Sequence, residues 1–168
     1  MVEQIIEVDE NDNQIGLRPK DDFYTGKYIH RWSHLILCNS KNEILLQQRA
    51  ATKKWYPNLF TYSVSWTVAN ESYENCIATE MQEEIGITIP VERLFTYPFF
   101  DTYDKAWHCI FIGISDKTIQ LDTREIQKVV WMNADALRKD IIEHPDIYTP
   151  PFIEGMKKYF TEFYMTEK

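Results

Sequence analysis

No stretch restricts the fold of this chain as tightly as Glu71–Ile87. Tyr73, Cys76, Ile77, Met81 and Ile85 recur at steps of three and four, which predicts one amphipathic helix with a single apolar stripe to lay on a sheet. Ser72 is placed to cap its N-terminus, Glu74 puts negative charge in the first turn, and Gly86 can end it in the left-handed conformation. Glu80, Glu83 and Glu84 stand at i, i+3 and i+4, so their carboxylates share a patch off the stripe. Like charges so spaced cost a helix about 0.2–0.5 kcal/mol per pair. A hard divalent cation would offset that cost, since it takes oxygen ligands, but three glutamates alone fit a solvated acidic face better.

The 168 residues suit a single domain, 1–168, read as an N-terminal hairpin extension and loop (1–27) followed by a core (28–168). With 44% hydrophobic and 14% aromatic residues, the chain is neither disordered nor fibrous, and an aromatic-rich core or ligand cleft is expected. A net charge of −8 argues against nucleic acid as a partner, yet allows a small phosphorylated ligand held through a metal. Cys38, Cys76 and Cys109 are odd in number and lack zinc-site spacing, which predicts reduced thiols. The acidic start through Glu7 does not read as a signal peptide and no apolar run reaches the length of a membrane span, so a cytoplasmic protein with no membrane partner is expected.

Gln4–Val8 and Gln14–Leu17 read as a hairpin lying at a sheet edge or in a contact between two copies of the chain, as in a homodimer. A loop over Lys20–Lys27 leads to a buried strand in His30–Asn39, and Glu43–Arg49 returns from it. Ala50–Tyr62 reads as a long irregular connection, and Tyr62–Val68 as the strand feeding the acidic helix. Ile87–Val91, Leu94–Phe100, Trp107–Ile114 and Glu125–Met132 are further strand candidates. Asn133 caps a helix that ends near His144, and Pro150–Pro151 separates it from a last helix over Phe152–Phe163. Strands on both sides of one central helix, with helices at the end, give a mixed α/β sandwich.

The acidic stretch resembles the Nudix box, in which a Gly, a Glu and the run Arg-Glu-U-x-Glu-Glu-x-Gly-U stand at fixed spacing, U being a bulky aliphatic. Glu71, Glu80, Glu83, Glu84, Gly86 and Ile87 match it. The box Arg is Thr79 here, and its leading Gly falls on Ser65 or, if the loop has lost a residue, on Trp66. The resemblance spans roughly Ile5 to Phe160 and is closest to the isopentenyl-diphosphate isomerase-like branch, through His30–Arg31, Leu46–Arg49 with Lys53, Pro57–Phe60, Ser63–Val64, Trp131 and Tyr148–Pro150. It implies an α/β/α sandwich with a central mixed sheet, a catalytic helix and C-terminal helices.

What the resemblance implies for function is a divalent-metal-dependent hydrolase of a diphosphate linked to another group. Glu80, Glu83 and Glu84 would hold Mg²⁺ or Mn²⁺, and Glu71 would orient them. Glu83, or a loop acid elsewhere, would take a proton from water. Arg49 and Lys53 match the residues that hold the substrate diphosphate in the isomerases, and an Arg fork with a Lys point charge suits that task. Trp55, Tyr56, Trp66 or Trp107 could stack on a flat substrate group, with Trp66 the one assigned to substrate. His34 matches a metal-binding His of the isomerases and is a weak candidate. Two alternatives stand beside the hydrolase: an isopentenyl-diphosphate isomerase, although its catalytic thiol is absent from Ser65–Trp66–Thr67, and a Nudix-fold binding protein that has lost catalysis.

Overall fold

The computed structural model describes residues 1–164. It begins with a hairpin, β1 (Gln4–Val8) and β2 (Gln14–Pro19), whose turn is tied by Asp9 Oδ1 accepting from the backbone N–H of Asn11 and Asn13. One helical turn, α1 (Lys20–Phe23), stands where the sequence suggested only loop. Ile5, Ile6, Val8 and Phe23 are at most 2% exposed, so this region packs into the body of the protein.

β3 (His30–Cys38) is the axis of the main sheet. Later strands flank it: β6 (Val64–Thr67) antiparallel, and β8 (Lys105–Ile114) parallel on the other side, with β7 (Glu92–Phe100) antiparallel to β8. β4 (Glu43–Arg49) carries a second set, pairing antiparallel with β5 (Phe60–Thr61) and β9 (Ile126–Asn133). The two sets pair with each other only at Cys38 and Ile44. Beyond that point β6 occupies the edge of β3 that β4 would otherwise use, so the strand sets splay and leave a cleft between them.

The pleat sends alternate residues of β3 and β8 to opposite faces. Leu35, Leu37, Cys109 and Phe111 face α2 (Tyr73–Ile85), whose buried stripe is the predicted Tyr73, Cys76, Ile77, Met81 and Ile85. Ile36 and Ile110 face α3 (Ala134–Glu143) and α4 (Pro150–Tyr159), meeting Leu137, Ile141, Phe152 and Met156. The result is the expected α/β/α sandwich. Among the described residues, Cys38, Cys76 and Cys109 form no disulfide. Among the described residues, no helix is long and apolar enough to cross a membrane.

Ile87–Val91 departs from expectation. It forms no strand, because Pro90 lacks an N–H, and Ile89 and Val91 instead pack over Gly113. Pro150 and Pro151 do not separate helices; they form the first turn of α4, where a missing N–H costs nothing. That helix runs into a π turn at Phe160–Tyr164.

Candidate active site

Ser72 caps α2 through its hydroxyl, accepting from Asn75 N–H at 3.0 Å, and Gly86 closes the helix at φ 70°. The connection after β8 satisfies the last carbonyls: Gln120 N–H donates to Ile85 O and Asp122 N–H to Glu84 O, each at 3.0 Å. This fixes the turn that carries the acids. Glu84 is 3% and Glu80 8% exposed, whereas Glu83 is exposed beside them and Glu71 is half-buried. Glu84 spans the cleft, accepting from Gln47 Nε2 of β4 at 2.9 Å and from Ser65 N–H of β6 at 3.3 Å.

Burial pushes the Glu84 carboxyl up to about 8, despite those hydrogen bonds, and the charge of Glu80 adds to the rise. Glu80 is pushed up to about 7, by burial first and then by the charges of Glu83, Glu71 and Glu125. Burial also raises Glu71. Crowded, half-desolvated carboxylates of this kind suit a hard cation. Among the described residues, no three acidic, His or Cys side chains already converge as a formed metal site.

Across from the acids the cleft is basic. Lys20 from α1, Arg49 at the end of β4, and Lys53 and Lys54 from the following loop line one compartment together with Tyr24, Trp55 and Trp66. Lys20 Nζ lies 4.9 Å and Lys53 Nζ 4.5 Å from the Trp66 ring centre, so the indole is flanked by two ammonium groups. Lys53 is ion-paired with Glu125. Arg49 is 5% exposed and its Nε donates to Trp55 O at 2.9 Å, which sets the plane of the guanidinium. Burial lowers its pKa, opposed by the charges of Glu84, Asp104 and Glu125.

A second compartment adjoins the first, walled by Trp32, Tyr56, Thr61, Thr149 and Pro151 and floored by His34 and His108. His34 Nδ1 is 2.5 Å from Ser65 Oγ, and His34 Nε2 is 2.9 Å from His108 Nδ1. Burial holds the pKa of both imidazoles down, that of His108 to about 3. Deeper still, Asp104 accepts from Trp32 Nε1 at 3.0 Å and pairs with His30 Nε2 at 2.6 Å. Burial pushes this carboxyl up, but the charge and hydrogen bond of His30 hold it below the usual range.

A helix of box-spaced acids facing lysines across a split mixed sheet is matched by a family model, the NUDIX domain, over residues 29–150. The chain belongs to the Nudix family. This Nudix protein is 48% identical over 162 residues to a prenyl-diphosphate phosphatase of Methanosarcina mazei, covering 94% of this chain and 95% of that one. It is 29% identical over 155 residues to isopentenyl-diphosphate delta-isomerase 2 of Photorhabdus laumondii, covering 89% and 88%. The solved DR0079 protein of Deinococcus radiodurans superposes with a TM-score of 0.80 at 21% identity, covering 93% and 98%, a likeness of fold. The Nudix protein is therefore a diphosphate-hydrolysing enzyme, of a family whose hydrolases generally use divalent metals.

The Nudix chain brings Arg49, Lys53 and Trp66 to one compartment; Glu84 meets its lining at the Ser65 N–H, and the charges of Lys53 and Lys20 act on Glu84 and Glu80. His34 is hydrogen-bonded to Ser65 and His108. Trp55 is buried against His30 and Tyr24, while Trp107 packs in the layer under α2. Lys20, Gln47, Glu125 and His108 escaped the sequence reading. Gln47 left a signal, a polar residue within an apolar strand. Lys20 and Glu125 left none, because they reach the site only through the tertiary fold.

Proposed function

We propose that this enzyme hydrolyses a prenyl diphosphate in the cytoplasm, with Mg²⁺ or Mn²⁺ held by Glu80, Glu83 and Glu84. The observation that carries this reading is the division of the cleft: a lysine-rich compartment next to buried carboxylates, continuous with an aromatic one. A diphosphate on a hydrocarbon group has that same division. The similarity to a prenyl-diphosphate phosphatase supports the same assignment.

Arg49 would grip phosphate oxygens with its fork, while Lys53, joined by Lys20 and Lys54, supplies point charges. Trp66 would hold the two flanking ammonium groups in place. A divalent cation held there would neutralise the diphosphate and lower the pKa of water for attack on phosphorus. Gln47 and the Ser65 N–H fix the Glu84 carboxylate, and Glu71 acts on Glu80 through its charge. Glu83, exposed on the same helix, would accept the proton of the attacking water. Trp32 and Tyr56 shield the hydrocarbon from solvent.

The isomerase alternative lacks its chemistry. The region after Ser63–Val64 reads Ser65–Trp66–Thr67, without a thiol, and the later strand reads Ala106–Trp107–His108, without carboxylates. Incubation with isopentenyl, dimethylallyl and geranyl diphosphate plus Mg²⁺ is expected to release phosphate and leave the matching prenyl alcohol or monophosphate. Conversion of isopentenyl to dimethylallyl diphosphate with no phosphate released would overturn the reading.

A further inference from the structure

Trp32, Arg49 and Ser65 line both compartments. On the reading above, a substrate with its diphosphate among the lysines and its hydrocarbon beside Tyr56 sets the oxygen of its C–O–P link at that seam. Of the three residues, Trp32 has given its indole N–H to Asp104, and Arg49 is a cation whose Nε is fixed on Trp55 O. The Ser65 hydroxyl is the neutral donor that remains there.

That hydroxyl ends a buried chain. Ser65, His34 and His108 are 4%, 3% and 1% exposed, and His108 Nε2 has no hydrogen-bond partner among the described residues. A neutral imidazole has one donor and one acceptor nitrogen, so the chain runs in one of two directions. In the first, Ser65 donates to His34 Nδ1, His34 Nε2–H donates to His108, and the hydroxyl offers the cleft only lone pairs. In the second, His108 Nδ1–H donates to His34 and His34 Nδ1–H to Ser65, so the hydroxyl hydrogen is free to turn into the cleft. An ester oxygen carries lone pairs and no hydrogen, so a substrate at the seam selects the second direction.

We propose that the Ser65 hydroxyl, aligned by the His34–His108 pair, donates a hydrogen bond to the oxygen joining the diphosphate to its organic group. Ser65 is thus a binding residue that recognises the ester and sets the register of the substrate between the two compartments; no proton leaves it. The test is a double comparison of protein and ligand. Two dimethylallyl bisphosphonates, each with a methylene between the phosphorus atoms to block hydrolysis, differ only in carrying C–O–P or C–CH₂–P at the organic link. Dissociation constants with Mg²⁺ are measured by calorimetry.

The wild-type protein is expected to hold the oxygen compound about 3–10-fold tighter, the range of one net hydrogen bond. Ser65→Ala should bind the two equally, and Ser65→Thr, which keeps a hydroxyl, should retain a preference. An unchanged preference in Ser65→Ala, or none in the wild-type protein, overturns the proposal and leaves the prenyl-diphosphate reading standing. Failure of the wild-type protein to bind either compound overturns both.

Discussion

Glu84 and Glu80 are buried carboxylates raised above the value of 4.5 that they have when exposed. Below about pH 6.5 the buried neutral His34 and His108 offset this, so the folded protein binds more protons than the unfolded chain between about pH 6.5 and about pH 8. Metal-free stability should fall as pH rises through that window and level off above it, which calorimetric melting from pH 5 to pH 9 without metal will check. Added Mg²⁺ should raise the melting temperature more at pH 8.5 than at pH 6. Glu84→Gln is expected to reduce turnover by more than about 100-fold, since losing even an outer partner of a metal ligand costs about 10–100-fold. The same variant should melt higher than wild type in metal-free buffer at pH 8.5, because it removes a buried charge. Gln47→Leu, which deletes the donor to Glu84, should lower kcat by about 10–100-fold, read in a steady-state assay of phosphate release. The acids were legible in the sequence because helical spacing is a local property. Their burial was not, because it depends on β4 and β6 closing over them.

At the scale of elements, α2 was readable from Ser72 to Gly86 because cap, stripe and stop signal all lie within it. Ile87–Val91 was misread because β-branched residues mark burial as readily as pairing, and here Ile87 is buried and Ile89 and Val91 partly so, without a strand partner. The splay between β3 and β4 could not be read at all. Both strands are legible as a hairpin, and only the insertion of β6, from residues 64–67, limits their pairing to Cys38 and Ile44. Gly155 shows a similar long-range constraint within α4. A β-carbon there would meet the Tyr62 hydroxyl at 1.8 Å and the Tyr97 hydroxyl at 2.7 Å. Gly155→Ala should therefore destabilise the protein by about 1–3 kcal/mol through overpacking, against the helix preference for Ala, as a shift of the urea midpoint will show.

At the scale of the whole molecule, Asp104 fastens the β7–β8 connection to β3 through His30 and Trp32 beneath the aromatic compartment. Asp104→Ala leaves His30 and Trp32 without their acceptor and is expected to cost about 3–5 kcal/mol, measured by chemical denaturation. Lys20 makes the N-terminal hairpin part of the enzyme, since α1 places that ammonium over Trp66. The family fold and its acidic helix were thus legible, whereas the partnership of Lys20, Glu125 and His108 with them was not, because no sequence spacing relates residues so far apart.

Gln47 and Arg49 belong to one wall of the split sheet, while Glu84 and Ser65 belong to the other, and the covalent path between β3 and β4 is the tight turn at Asn39–Asn42. An extra residue in that turn would rotate one wall against the other and part Gln47 from Glu84, even though the turn lies far from any substrate. Surface connections that do not set this angle can lengthen freely, so drift among relatives of this chain should be tolerated in most of its loops and punished in that one.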